Sequence, residues 1–197
     1  MNKDKRIILA SSSQYRQQLL NKINIKFTAA APEIDETAKN HESPQQQALR
    51  LAQEKALALQ QQFNQHLIIG SDQVAYCNGQ QLNKPGNRVH SIQQLEMIAG
   101  NTVKFYTAIC VFDSQTWKIK KDIDCSTVTF RDLSLAEIEN YVDLDKPYHC
   151  AGSFKSEGLG IALIKKIDGD DPNSLIGLPI IKLIDLLAEF GVKVLNT

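Results

Sequence analysis

Short apolar runs alternate with segments of helical spacing along the first half of the chain. The runs 6–10, 25–29 and 67–73 predict strands. An apolar run that ends abruptly in polar residues is typical of a buried strand in a mostly parallel sheet. Between these runs, residues 14–20 and 44–62 have the apolar stripe of a helix. Strand and helix in alternation predict an α/β fold.

The pattern changes in the second half of the chain. Asn78-Gly79 predicts a tight hairpin. Residues 102–112 and 118–130 predict long strands, and part of the second alternates polar and apolar positions, as an antiparallel strand with one wet face does. A meander with helices, forming a second lobe, is therefore expected. The other predicted elements are helices 92–99 (capped by Ser91), 135–142 (capped by Ser134) and 180–190, a strand at 159–167 and an edge strand at 192–195.

Asp72 ends the apolar run of the third predicted strand. Open α/β sheets bind ligands just beyond the carboxyl ends of their strands, so this carboxylate is expected at the mouth of a site. Asp is also common at the start of turns, and the local sequence leaves both interpretations open.

Three serines lie between the first strand and the first helix, at residues 11–13. Such a junction presents free backbone N–H groups, hydroxyls and the positive end of the helix dipole, which suit a phosphate. Arg16 in the first turn adds a charge that helices normally place at their other end. The alternative is a serine N-cap without further function. Lys55, beside an apolar helical stripe, and Lys84, held extended by Pro85, are further bases near the predicted site.

An acidic loop follows the second strand, at residues 31–36. Glu33, Asp35 and Glu36 could hold a hard cation through oxygen ligands. A solvated acidic loop has the same composition, so the loop alone does not decide between the two.

Composition narrows the class of protein. The 197 residues predict a single domain, 1–197, and the formal net charge of +0 gives no field for a nucleic acid polymer. Apolar runs are too short for a signal peptide or a membrane span, so a cytoplasmic protein without a membrane partner is expected. The four cysteines show no ligand spacing, which argues against zinc and for free thiols.

Together, several bases and a pair of carboxylates are what a metal-assisted phosphoanhydride hydrolase needs. The chain resembles one family of such enzymes over nearly its whole length, the Maf-like nucleoside triphosphate pyrophosphatases. Ordered motifs carry the resemblance: Leu9-Ala-Ser-Ser-Ser-Gln-Tyr-Arg16, Ala31-Pro-Glu-Ile-Asp-Glu36, Gln53-Glu-Lys-Ala56, Ser71-Asp-Gln73, Asn83-Lys-Pro85, Ala151-Gly-Ser153 and Gly177-Leu-Pro179. Gln14 departs from the family's usual proline.

The resemblance implies a Rossmann-like mixed twisted sheet with helices on both faces and two lobes around a deep cleft, as in inosine triphosphatase. It implies hydrolysis of a nucleoside triphosphate with a divalent cation, Mg²⁺, Mn²⁺ or Co²⁺, in a homodimer. Asp72 matches the family's proton acceptor. The other matched positions are Ser11, Ser13, Arg16, Lys55 and Lys84 for the phosphates, and Glu33 with Asp72 for the metal.

Three positions of the resemblance bear on base choice: Tyr15, Gln73 and Glu157. An aromatic, Gln and Glu are similar to the subfamily that acts on 7-methyl-GTP, although Tyr15 stands where that subfamily has tryptophan. Methylation at N7 makes guanine cationic, which an aromatic face attracts, and a carboxylate accepts hydrogen bonds from the guanine edge. Hydrolysis of 7-methyl-GTP is therefore expected. The alternatives are a pyrophosphatase for dTTP, UTP or other modified nucleotides, and a non-catalytic nucleotide-binding regulator linked to cell division.

Overall fold

A mixed sheet runs through the whole molecule. The computed structural model describes residues 5–196, so the predicted domain ends, 1 and 197, lie outside the described residues. Within that range the sheet has seven strands. They are β1 (Arg6–Ala10), β2 (Phe27–Ala30), β3 (His66–Cys77), β4 (Gln80–Leu82), β5 (Thr102–Asp113), β6 (Ile119–Phe130) and β7 (Ile164–Asp168). The helices are α1 (Gln14–Lys22), α2 (Pro44–Ala58), α3 (Arg88–Ile98), α4 (Leu135–Asp145) and α5 (Ile180–Glu189).

The strand order is β2-β1-β3-β5-β6-β7, with β4 paired to β3. β1 is parallel to β2 and β3, whereas β5, β6 and β7 follow in antiparallel pairing. Alternate residues of β1 enter opposite cores: Ile7 and Leu9 pack with α1 and α5, and Ile8 packs with α2. The predicted mixed α/β sheet with helices on both faces is confirmed.

A separate core fills the other half of the long strands. There Phe154 contacts Phe130 edge to face, with ring centroids 5.3 Å apart, and Phe105 lies 6.2 Å from Phe154. Residues of α3, α4, β5 and β6 complete this core. The second lobe is thus built on the same strands as the first, and a cleft lies between their helices and loops.

The position of Asp72 differs from the prediction. β3 does not end at Asp72, because it pairs with β5 from Leu67 to Tyr76. The parallel pairing with β1 stops at Ile69, so Asp72 lies beyond the carboxyl end of its neighbour but in the middle of its own strand. The alternative of a turn at Asp72 is therefore wrong, whereas the edge that the rule for α/β sheets identifies is present on β1.

Four smaller differences concern where elements begin and end. α2 ends at Ala58 rather than 62, and α3 begins at Arg88 because Asn87 caps it, whereas Ser91 is buried inside the helix. Residues 159–163 form a 3₁₀ turn in which Gly160 closely approaches the carbonyl of Lys155, so the strand starts only at Ile164. The predicted edge strand at 192–195 is wrong: Val192 bonds back to α5, and Val194–Asn196 form a 3₁₀ turn.

The helices were also compared with the length and apolar character of a membrane-spanning segment. Among residues 5–196, no helix combines the length with the apolar character that a membrane-spanning segment requires.

Helix α2 approaches β3 unusually closely at Gly70. A Cβ atom added to Gly70 would lie 2.1 Å from the carbonyl oxygen of Ala52 and 2.9 Å from the nitrogen of Ala56. Real Cβ atoms do not come so near to backbone, so only glycine allows this contact. The facing helix surface is correspondingly small, with Ala48, Ala52 and Ala56 all fully buried.

We expect Gly70→Ala to lower the free energy of unfolding by about 3 kcal/mol, because the helix must shift away from the strand. Urea unfolding monitored by circular dichroism measures the change. Gly169→Ala is the control, since its nearest neighbour is the rotatable hydroxyl of Ser126 at 3.1 Å. A loss at Gly70 no larger than at Gly169 would contradict the close-contact explanation.

Candidate active site

A cavity of about 900 Å³ lies between the two lobes, beside the carboxyl end of β1. It brings together nearly every residue that the sequence singled out. The lining includes Ser11, Ser13, Tyr15, Arg16, Glu36, Lys55, Asp72, Gln73, Lys84, Cys150 and Glu157. Such a volume is typical of a pocket for a small molecule.

The serines after β1 form one wall of the cavity. Ser13 is the N-cap of α1, and its hydroxyl accepts a hydrogen bond from the Arg16 nitrogen at 3.4 Å. The Ser11 hydroxyl accepts one from the Ser13 nitrogen at 3.1 Å. The capping and ligand-facing interpretations are thus compatible, because the same residues cap the helix and line the cavity.

Arg16 is fixed by the loop at residues 172–179. Its Nε donates to the Gly177 carbonyl at 2.7 Å, and the Ser71 hydroxyl donates to the same oxygen at 3.0 Å. Burial lowers the pKa of Arg16, and nearby Asp72 and Glu36 oppose that effect. The guanidinium therefore stays charged in a confined position.

Lys55 joins two carboxylates at the centre of the cavity. Its Nζ lies 2.6 Å from Asp72 Oδ1 and 2.7 Å from Glu36 Oε1. Only 8% of the Lys55 side chain and 10% of the Asp72 side chain is exposed, so this pair is shielded from water. The Oδ2 atom of Asp72 makes no hydrogen bond within residues 5–196, and Asp72 lines the cavity.

The electrostatic surroundings keep Glu36 ionised. Burial acts to raise its pKa, but Lys55, Lys84 and Arg16 together lower the pKa below its ordinary value of 4.5. The folded structure therefore gains stability from ionised Glu36 above that value and loses it as the pH falls through the lowered pKa. Lys84 itself is exposed at the rim.

Glu33 does not lie where the sequence prediction placed it. It is exposed and does not line the cavity, whereas Glu36 of the same loop does. Both are carboxylates in an irregular segment, which has no periodicity to indicate the inward side chain. The salt bridge to Lys55 is the contact that distinguishes Glu36.

The two carboxylates fit a hard cation only together with a ligand. Within residues 5–196, no group of three or more His, Cys, Asp or Glu side chains is arranged to hold a metal. Mg²⁺ is commonly held by one or two carboxylates plus substrate phosphates and water. Asp72 and Glu36, both in contact with one ammonium group, are close enough to supply such a pair.

Tyr15, Cys150 and Glu157 interact with one another and line a second part of the cavity, the base end. Burial, followed by interactions with Cys150 and Glu157, raises the pKa of the Tyr15 hydroxyl. Burial, and then Glu157, raise the pKa of Cys150 to about 11, so its thiol is protonated at neutral pH. The sequence predicts Cys150 only as a free thiol. Its place after His149 in a polar loop was the available signal.

Gln73 also lines the cavity, and its side chain has a fixed orientation. Its Nε2 donates to Thr107 Oγ1 and the Ser174 carbonyl, each at 2.9 Å, and to the Leu175 carbonyl at 3.2 Å. Two carbonyl partners require the amide nitrogen on that side. The Oε1 atom makes no hydrogen bond among the described residues and is available to a ligand that donates.

The loop that carries Glu157 is tied to the end of α4. Lys155 Nζ donates to the Asp145 carbonyl and lies 3.6 Å from Asp145 Oδ1, and the Lys155 nitrogen donates to the Tyr141 hydroxyl at 3.1 Å. Lys155 is therefore a structural contact of this loop.

The sequence that forms this fold and cavity matches a known protein family. The profile described as Maf-like protein matches residues 6–190. The chain is a member of the Maf-like protein family.

Curated relatives match over almost the same range. The 7-methyl-GTP pyrophosphatase of Pseudoalteromonas translucida (strain TAC 125) is 52% identical over 190 residues, covering 96% of this chain and 94% of the relative. That of Vibrio vulnificus (strain CMCP6) is 51% identical, covering 96% and 97%. Among solved structures, the Staphylococcus aureus Ham1 protein matches with 17% identity and a TM-score of 0.48, covering 65% of this chain and 73% of that chain.

We expect Lys55→Met to lower the free energy of unfolding by about 3 kcal/mol, because it leaves the buried Asp72 carboxylate without its partner. Urea unfolding at pH 7 is the measurement. The control is Lys39→Met, which breaks the exposed 3.4 Å pair with Glu54. That change should stay within about 0.5 kcal/mol. Equal losses in the two variants would contradict a buried, coupled pair.

Proposed function

We propose that this protein is a nucleoside triphosphate pyrophosphatase that hydrolyses 7-methyl-GTP to 7-methyl-GMP and pyrophosphate, and so removes a modified nucleotide. The observation that carries the proposal is the Lys55 ammonium between Asp72 and Glu36 in a cavity whose far end holds Tyr15 and Glu157. The relatives' name supports the choice of base.

At the phosphate end, Arg16, Lys55 and Lys84 bind the negative charge of the triphosphate. Their charges are most useful when pyrophosphate leaves, because the leaving group then carries additional negative charge. Asp72, oriented through Oδ1 by Lys55, uses Oδ2 to accept a proton from the water that attacks the α-phosphate. The serine hydroxyls and the N-terminus of α1 supply further donors to phosphate oxygens.

A divalent cation is part of the proposal. Glu36 and Asp72 would hold it, and when bound it would neutralise phosphate charge and polarise the phosphoryl group. Glu36 replaces the predicted Glu33 in this role because it lines the cavity. Mg²⁺, Mn²⁺ and Co²⁺ all accept oxygen ligands of this kind.

At the base end, the ring of Tyr15 offers a face to the cationic methylguanine. Glu157 accepts hydrogen bonds from the guanine N1–H and N2–H groups, and Gln73 Oε1 offers a further acceptor. Uracil and thymine bases carry neither the positive charge nor the exocyclic amine. Among the described residues, no contact in the cavity favours the alternatives of dTTP or UTP hydrolysis or a non-catalytic regulator.

A cytoplasmic location and a homodimer complete the proposal. The family resemblance supports the homodimer, and the short apolar runs of the sequence support the location. Sedimentation equilibrium of the purified chain tests the dimer.

The function is tested by the rate of pyrophosphate release from 7-methyl-GTP, GTP, dTTP and UTP. We expect 7-methyl-GTP to have the highest kcat/KM, and Tyr15→Leu to reduce its advantage over GTP about fivefold by removing the cation–π contact. Faster turnover of dTTP or UTP would refute the proposed substrate.

In the same assay, Asp72→Asn should lower kcat by about a thousandfold, since it removes the proton acceptor.

The metal ligands are tested by comparing Glu36→Gln with Glu33→Gln. We expect the Mg²⁺ concentration for half-maximal activity to rise about tenfold in the first variant and to stay unchanged in the second, because only Glu36 faces the cavity. Mn²⁺ binding with pyrophosphate present, followed by electron paramagnetic resonance, gives a readout without turnover. A larger effect at Glu33 would instead identify Glu33 as the metal ligand.

A further inference from the structure

Two cavity loops of the second lobe approach each other beside α3. One is Asn83-Lys84-Pro85, which brings Lys84 to the phosphate end of the cavity. The other is the turn at residues 150–154, which brings Cys150 and Phe154 to the base end and leads on to Glu157. The Gly86 nitrogen donates to the Tyr148 carbonyl at 2.9 Å, so the two loops are also joined through their backbones.

The side-chain amide of Gln94 connects these two loops. Its Nε2 donates to the Asn83 carbonyl at 2.8 Å, and its Oε1 accepts from the Ser153 hydroxyl at 2.8 Å. One amide group thus donates a hydrogen bond to the loop that carries Lys84 and accepts one from the turn at residues 150–154. Gln94 does not itself line the cavity.

The turn at residues 150–154, called the base loop below, needs such an external contact because the backbone of Ser153 is strained. Gly152 and Ser153 are both in the left-handed region, with φ of 70° and 57°, and Ser153 is fully buried. A left-handed conformation is unfavourable for serine and persists where surrounding contacts impose it. The hydrogen bond from the Ser153 side chain to Gln94 is one of those contacts.

Helix α3 holds Gln94 in a fixed position. The buried residues Ser91, Leu95 and Ile98 anchor one face of the helix, and Asn87 caps its start. Gln94 immediately precedes the fully buried Leu95, so its backbone position is set by the core.

We propose that Gln94 is a positioning residue that sets the distance between the phosphate-binding Lys84 and the base-binding loop. The inference rests on the proposed function for the meaning of the two ends, although the contacts themselves do not depend on it. The recognised ligand is a nucleotide whose triphosphate and base bind at the same time. Gln94 therefore acts on affinity and on base discrimination through both loops.

The two hydrogen bonds can be separated by mutation. Gln94→Glu keeps an acceptor for Ser153 but places a carboxylate against the Asn83 carbonyl, so we expect the inhibition constant of inorganic pyrophosphate to rise about fivefold, the value of one hydrogen bond. Ser153→Ala removes the other bond. We expect it to lower the preference for 7-methyl-GTP over GTP about fivefold and to leave pyrophosphate inhibition unchanged.

Gln94→Met, of nearly the same size but without the amide, should show both effects, with a raised KM and a smaller change in kcat. Gln93→Met is the control, because Gln93 is the exposed neighbour on the same helix. Hydrogen exchange should become faster at residues 83–86 and 150–154 in Gln94→Met but not in Gln93→Met.

A purely structural role predicts something different. If Gln94→Met lowers Tm but leaves KM, pyrophosphate inhibition and base preference unchanged, the proposal is overturned. If the wild type prefers another triphosphate, the proposed substrate fails, whereas pyrophosphate inhibition and hydrogen exchange still decide the role of Gln94. Unchanged exchange in both loops would also refute the connection.

Discussion

The contact between α2 and β3 at Gly70 is the constraint on which the site depends. Because no side chain separates the helix from the strand there, Lys55, one turn beyond Leu51 on α2, reaches Asp72, two residues beyond Gly70 on β3. Lys55 also forms a salt bridge with Glu36, which lies in an otherwise irregular loop. A wider spacing between helix and strand would leave a buried ammonium and a buried carboxylate apart, and each would be costly alone. The geometry of the charged centre is thus set by backbone packing.

The cavity combines two kinds of recognition in one continuous space. The first lobe provides charge through the junction of β1 and α1, α2 and the middle of β3. The second lobe provides Lys84 and the turn with Cys150, while Tyr15 faces that turn from the first lobe. Gln73 is close to both kinds of recognition, because it follows Asp72 directly on β3 and its side chain donates to the carbonyls of residues 174 and 175. Chemistry and base choice are therefore adjacent on one strand.

Sequence patterns predicted the elements well where periodicity is strong, as in β1, α2 and the long hairpin of β5 and β6. They failed where a tertiary contact decides the conformation. Asp72 reads as a strand end because its polar side chain breaks an apolar run, yet antiparallel pairing with β5 carries the strand further. Motif order placed Ser11, Arg16, Lys55 and Lys84 together, but the choice between Glu33 and Glu36 depends on a salt bridge that no local pattern encodes.

The continuity of β3, β5 and β6 also limits how the protein can move. Each of these strands extends for 12 residues through both lobes, so no linker separates them. Hinge closure of domains requires a few residues that absorb large backbone changes, and a hydrogen-bonded ladder of three long strands offers none. The irregular chain at residues 31–39, which carries Glu36, and the loop that carries Glu157 lie outside this ladder. The continuous strands thus join the two lobes, whereas segments outside the strands bring these two carboxylates to the cavity.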